Sequence, residues 1–238
     1  MSERWRGPGE AVRKGASPRG RGSAAVVMLV AVVLLLLGAP VAPVSALGAT
    51  ESQTILGTDR CHSSILISQA GFAPGVEAVV VCDGTSCHSA TCSAPLAALH
   101  GGPVLLTPGD LPDARVNVEI ARISPGKIFA VGLGTTVVDA IKAAYPELDA
   151  SGSIVTLLGA DAYDTARLVA EEIGAKAGAV TGVVLVPSDP TLPYVGYSVS
   201  VAPLAAAKGW PILLTPVSGP LPDLTAQAIE ALDAPFVL

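Results

Sequence analysis

An uninterrupted apolar run from Ala24 to Leu37 follows an arm that carries Arg4, Arg6, Arg13, Lys14, Arg19 and Arg21 against Glu3 and Glu10. A basic arm ahead of such a run is the order of an export signal. The run is shorter than the roughly 18 to 20 residues that a bilayer core requires, and Pro40 and Pro43 then interrupt any helix. Val44-Ser45-Ala46 offers the small residues of a signal-peptidase site, so residues 1–46 read as a signal peptide cut after Ala46. The competing reading is an N-terminal membrane anchor over Ala24 to Ala42 with the basic arm inside. Both put the rest of the chain outside the membrane, secreted or held at the cell wall or cell surface.

Past residue 46 the apolar positions come in short β-branched runs that alternate with helical stretches. The pattern predicts strands over Glu77–Cys82, Val104–Thr107 and Lys127–Val131, a helix over Ser93–Leu99 and another from Asp113. Such alternation reads as βαβ units around a mostly parallel sheet. The runs do not alternate with polar residues, as burial of both sheet faces requires. Asp113 and Asp223, each just after a proline and before a helical pattern, are predicted N-caps. Gly132-Leu133-Gly134 between a strand and a helix reads as a helix-opening turn, because the third glycine and the ribose-binding acid of a dinucleotide fingerprint are not in place.

These elements occur twice. Ala94-Pro-Leu-Ala-Ala98 returns as Ala202-Pro-Leu-Ala-Ala206, and Pro103-Val-Leu-Leu-Thr-Pro108 returns as Pro211-Ile-Leu-Leu-Thr-Pro216, both 108 residues later. Leu111-Pro112-Asp113 matches Leu221-Pro222-Asp223, and Leu56-Gly57-Thr58-Asp59 matches Leu158-Gly159-Ala160-Asp161. A period of about 105 residues is too long for a solenoid unit, so each copy is a small α/β domain. The predicted division is 1–46 signal peptide, 47–149 first repeat and 150–238 second repeat. Pro235-Phe-Val-Leu238 aligns with Lys127-Ile-Phe-Ala130, so the second copy stops one strand and one helix early and leaves apolar surface open to self-association.

The Gly-x-Asp-Arg start, the Ala-Pro-Leu-Ala-Ala helix, the Pro-(Val/Ile)-Leu-Leu-Thr-Pro strand and the Leu-Pro that follows resemble the cell-wall-binding repeat type 2 family of Gram-positive bacteria, over roughly residues 54–238. The resemblance implies tandem Rossmann-like or Toprim-like repeats, normally three about a pseudo-threefold axis. It implies non-covalent attachment to an anionic wall polysaccharide or teichoic-type polymer, a binding module without catalysis or cofactor. The family start is Gly-x-Asp-Arg-Tyr-x-Thr-Ala. The first copy keeps Gly57, Asp59 and Arg60 but has Cys61, Ser63 and Ser64 where Tyr, Thr and Ala belong. The second keeps Gly159, Asp161, Tyr163, Thr165 and Ala166 but has Ala162 in place of the arginine. The polymer-binding candidates are therefore Asp59, Arg60, Asp161, Tyr163 and Thr165. The competing readings are an assembly protein that has lost polymer binding and a fragment of a wall hydrolase such as an amidase.

Charge and composition narrow the partners. The chain has 14 basic and 20 acidic residues, and without residues 1–46 the balance is 8 against 18, near −10. Scattered cations at that net charge exclude a nucleic-acid partner, and grip on an anionic polymer needs a local cationic pocket. Aromatics are 4% of the chain, so broad stacking platforms for glycans are not expected. Arg60, near a helix start where free N–H groups favour anions, is the predicted anion contact. The structural reading of the same loop is that Asp59 caps the helix and Arg60 pairs with it.

Cys61, Cys82, Cys87 and Cys92 all fall in the first copy. In an exported chain they read as two disulfides of undetermined pairing, with Cys87 and Cys92 placed in the loop after Cys82. His62, His88 and His100 lie near them, but the cysteine spacing is not that of a zinc site, so no metal is expected. Ser86 or Cys87 beside His88 makes no nucleophile, since sequence neighbours point apart.

Overall fold

The computed structural model describes residues 54–188 and 195–238, which form one compact unit. The signal segment lies outside the described residues.

Chain order is α1 (Arg60–Gly71), β1 (Ala78–Asp83), α2 (Cys87–Leu99), β2 (Val104–Thr107), α3 (Ala114–Ile123), β3 (Lys127–Val131), α4 (Thr135–Ala144), α5 (Pro146–Ala150), β4 (Ile154–Leu157), α6 (Ala162–Ala177), β5 (Val184–Pro187), α7 (Val195–Lys208), β6 (Ile212–Thr215) and α8 (Asp223–Leu232). The first sheet has the order β2-β1-β3-β4, parallel throughout. In the second, β5 and β6 pair in parallel. A bridge from Val183 to Val237, with Leu185 N–H donating to the Leu238 carbonyl, adds the last residues as a third strand. The order β6-β5-(236–238) repeats β2-β1-β3. Both sheets are parallel α/β, as the unalternating apolar runs predict.

Both faces of β1 are covered. Val79 and Val81 pack with Ile65 of α1, Val116 and Ile120 of α3 and Val137 and Ile141 of α4. Val80 and Cys82 meet Leu96 of α2 and Val169 and Ile173 of α6. The second sheet lays Val184, Val186, Ile212 and Leu214 against Cys92 of α2, Ala166 of α6 and Ala205 of α7. Its other side, with Val183 and Leu213, meets Ala170 of α6 and Ala228 of α8. Helices α2 and α6 thus carry apolar residues toward both sheets. The division at residue 150 is not a division of sheets, because β4, after it in the chain, pairs with β3 and completes the first sheet.

Four expectations are corrected in detail. Helix α2 begins at Cys87, well before Ser93, because Ser86 caps it and Pro95 is accommodated inside. Cys87 and Cys92 therefore lie on a helix, where a loop was expected. Asp223 is the first helical residue and makes no cap bond; Pro222 holds the cap position, and Asp223 instead places negative charge in the first turn. The final strand is the counterpart of β3 one residue further along than the alignment suggests, with Val237 in the place of Ile128.

Candidate functional site

The two Leu-Gly-x-Asp loops fold alike. In the first, Asp59 is the N-cap of α1 and accepts from the His62 N–H at 2.7 Å. The His62 ring nitrogen Nδ1 in turn accepts from Thr58 N–H at 3.1 Å. Ser63 closes the loop: its hydroxyl donates to the Asp59 carbonyl at 2.9 Å and accepts from Gly57 N–H at 3.0 Å. In the second copy Asp161 accepts from Asp164 N–H at 2.8 Å, and Asp164 accepts from Ala160 N–H at 2.9 Å. Thr165 stands in for Ser63, donating to the Asp161 carbonyl at 2.9 Å and accepting from Gly159 N–H at 3.0 Å. This is the reciprocal logic of a capping box, with the loop added as a third tie.

The glycine is dictated by the same closure. A Cβ on Gly159 would stand 2.5 Å from Thr165 N and 2.5 Å from Asp164 Cβ, and one on Gly57 would collide with Ser63 N. The motif therefore encodes a helix-entry turn that folds back on the helix's first turn, and in the second copy it leads there directly from β4. That explains why Gly, Asp and a hydroxyl residue recur at fixed spacing in both copies.

Arg60 does not pair with Asp59. Its guanidinium donates to the Gly84 carbonyl at 2.6 Å and so pins the loop after β1. The partner of Asp59 is Arg115 of α3, which lies 3.0 Å from Asp59 and 2.6 Å from Asp113, the cap of α3. The cap bond from His62 and then Arg115 hold the Asp59 carboxyl below the usual carboxylate range, and the Arg115 hydrogen bonds do the same for Asp113. Sequence reasoning missed Arg115, because only the fold brings α1 and α3 side by side. Tyr163 is part-buried beside Ala166 and Val186, with its hydroxyl donating to the Ser188 carbonyl at 3.5 Å. Gly134, with no capping side chain, opens α4 as the turn reading requires.

The remaining cations are also engaged. Arg122 pairs with Glu119, Lys127 with Glu172, Lys142 with Asp149, Arg167 with Asp164 and Glu171, and Lys176 with Glu77. Glu119 is 1% exposed. Burial alone would raise its pKa, yet the bonds from Arg122, Ser68 and Gln69 outweigh that and hold it lowered. Glu77 also meets buried His100 at 2.9 Å. Among the described residues Lys208 alone of the cations has no acid or carbonyl partner; at the Asp59 loop Arg115 is held by two carboxylates and Arg60 by a carbonyl.

All four thiols are free in the structure. Burial pushes the Cys92 thiol up to about 12, and burial likewise raises Cys82 and Cys61. No group of three or more His, Cys, Asp or Glu among the described residues could hold a metal. No helix among them is long and apolar enough to cross a membrane.

The "Cell wall binding domain 2 (CWB2)" family profile matches residues 54–142 and 156–237. A curated relative, N-acetylmuramoyl-L-alanine amidase LytC of Bacillus subtilis (strain 168), is 29% identical over 174 residues, covering 72% of this chain and 32% of that protein. The chain thus spans about a third of the length of the curated relative it matches. Among solved structures, Cwp6 from Clostridium difficile aligns with a TM-score of 0.62 at 20% identity, over 79% of this chain and 30% of that one. Cwp8 from the same organism aligns at 0.60 and 21%, over 76% and 30%. At that identity the two structures speak to the fold alone.

Proposed function

The chain belongs to the cell wall binding domain 2 family, and from that premise we propose that it attaches non-covalently to the bacterial cell wall as a binding module. The observation that carries the reading is that both halves of the compact unit match the family, over 54–142 and 156–237, on the fold shared with two Cwp proteins. The amidase activity in the curated relative's name is not extended to this chain. Its matched portion is about a third of that protein, and the loops built here are spent on helix caps.

The partner is a cell-wall polysaccharide or teichoic-type polymer, and the chain acts outside the cell after removal of residues 1–46. Direct ionic grip on an anionic polymer is disfavoured by the cation inventory, since a guanidinium already holding two carboxylates offers little to a third. Asp59, Arg60, Asp161, Tyr163 and Thr165 support binding by shaping the loops. In the oxidising surroundings of an exported protein, disulfides among Cys61, Cys82, Cys87 and Cys92 remain part of the proposal, readable by thiol titration of the secreted protein. Self-association through the open faces of the second repeat is likewise proposed, readable by sedimentation equilibrium.

The test is co-sedimentation of the chain from Leu47 onward with isolated Gram-positive walls, before and after removal of the anionic secondary polymers. Binding to intact walls is expected. Loss on stripping assigns the ligand to the secondary polymer, whereas retention assigns it to the peptidoglycan. Absence from both pellets would overturn wall attachment and leave an assembly module.

A further inference from the structure

The second repeat carries an aromatic pair that the first repeat lacks, with Trp210 resting part-buried on the core of the second sheet. Trp210 and Phe236 meet with ring centroids 5.4 Å apart, tilted by 45°. By register with β1, β2 and β3, the first-copy residues at these places are Gly102 and Lys127. Room for the indole comes from Gly182, whose counterpart is Ala78. A Cβ on Gly182 would stand 2.7, 2.9 and 3.0 Å from three indole carbons, so one ring face lies on the backbone there. The first copy makes the reverse choice, with a side chain at Ala78 and a glycine at 102 whose Cβ would collide with the Ala78 carbonyl. The indole N–H donates to Thr181 Oγ1 at 2.8 Å, which fixes the ring's rotation.

Phe236 is 45% exposed. Lys127, at the same place in the completed first sheet, also reaches the surface, with 37% of its side chain exposed. Val237 and Leu238 behave differently: they are 44% and 52% exposed where Ile128 and Phe129 are fully buried. Phe236 thus occupies a surface position that the first copy fills with a lysine.

We propose that Trp210 and Phe236 form a stacking surface for a pyranose ring of the wall polysaccharide, bound by its uncharged C–H face. The proposal rests on the wall-attachment reading and names its contact. Aliphatic C–H groups of a sugar carry slight positive charge and meet the negative face of an aromatic ring, so recognition of this kind needs no cation. That suits a mature chain near −10 whose cations are mostly paired within the fold. The aromatic scarcity that argues against a broad platform leaves room for this one narrow site. Lys208 ends α7 two residues before Trp210.

The chain from Leu47 onward holds Trp210 as its sole tryptophan, since Trp5 is the other of the two. Its fluorescence is therefore a reporter of this place alone. Titration with a β-1,4-linked N-acetylglucosamine tetramer is expected to change the emission saturably, and Phe236→Ala to weaken wall binding by about fivefold, the scale of a lost aromatic contact. Trp210→Phe, which keeps a ring, is expected to retain more wall binding than Trp210→Ala at equal thermal stability. Unchanged emission with both the tetramer and wall fragments, while the walls still pull the protein down unaffected by Phe236→Ala, would overturn the stacking site and leave wall attachment standing. Failure of wall pull-down with a saturable tetramer response would instead retain the site and remove the attachment reading.

Discussion

Thr165 and Ser63 each do three things with one hydroxyl: they bond a cap carbonyl, receive a glycine N–H and fix the loop between them. Thr165→Ala strands the Gly159 N–H and leaves the Asp161 carbonyl only its bond from the residue-165 backbone N–H, and should cost about 1–2 kcal/mol, while Thr165→Ser should restore most of it. Urea melts of the three proteins check this. Gly159→Ala should be worse than either, because the added methyl meets backbone that cannot move without breaking the cap. At Glu119, removal of the charge leaves Arg122 facing Ser68 and Phe72 carbonyls without its carboxylate. Glu119→Gln should cost about 3 kcal/mol, at the low end for a buried pair because Arg122 stays one-third exposed.

The same residues set the acid limit. Asp59, Asp113, Asp164 and Glu119 are all held below their ordinary pKa values in the folded state, Asp164 first by the Ala160 N–H and then by Arg167. A depressed folded value means that the stabilisation is fully present above the unfolded carboxylate values, near 4, and is lost as pH falls through the lower folded values. Urea midpoints should accordingly be flat from pH 7 to about 5 and drop steeply below about 4. Unchanged midpoints at pH 3 would refute the assignment.

At the scale of elements, the two copies differ in what covers them. Leu96 of α2 is fully buried under α6, whereas its counterpart Leu204 of α7 is 43% exposed, and Thr91 and Val199 differ likewise at 6% and 58%. Leu96→Ala should therefore cost about 2–5 kcal/mol and Leu204→Ala under about 1 kcal/mol. Paired thermal melts would read the difference, and equal losses would mean that α7 is covered in solution. Helix α6 also carries the ion pairs Lys127–Glu172 and Lys176–Glu77 across the seam, but these are partly exposed and add little beside Val169 and Ile173.

The whole described unit should unfold in one step. Helices α2 and α6 contribute to the apolar clusters of both sheets, and β4 ties the second copy's chain into the first sheet, so neither repeat can open alone without exposing the other's core. Calorimetry should show a single transition, and Ile128→Ala in one sheet and Leu213→Ala in the other should both move it. Two separable transitions would mean that the repeats are independent domains.

Much of this was written in the chain. Unalternating apolar runs determined a parallel sheet buried on both faces, and the repeated motifs determined that the unit is built twice, because these signals are local and survive any packing. Asp59 and Asp113 could be read as caps from their neighbours alone, whereas Asp161, read as a polymer contact, also proves to be a cap. Only the tertiary structure decided that Arg115, 56 residues from Asp59, is the cation that holds it, and that Arg60 turns to the Gly84 carbonyl. It decided too that β4 crosses to the preceding copy's sheet, and that Trp210 and Phe236 meet on Gly182. Each of these depends on segments far apart in sequence being brought within bonding distance, and no local periodicity carries that information.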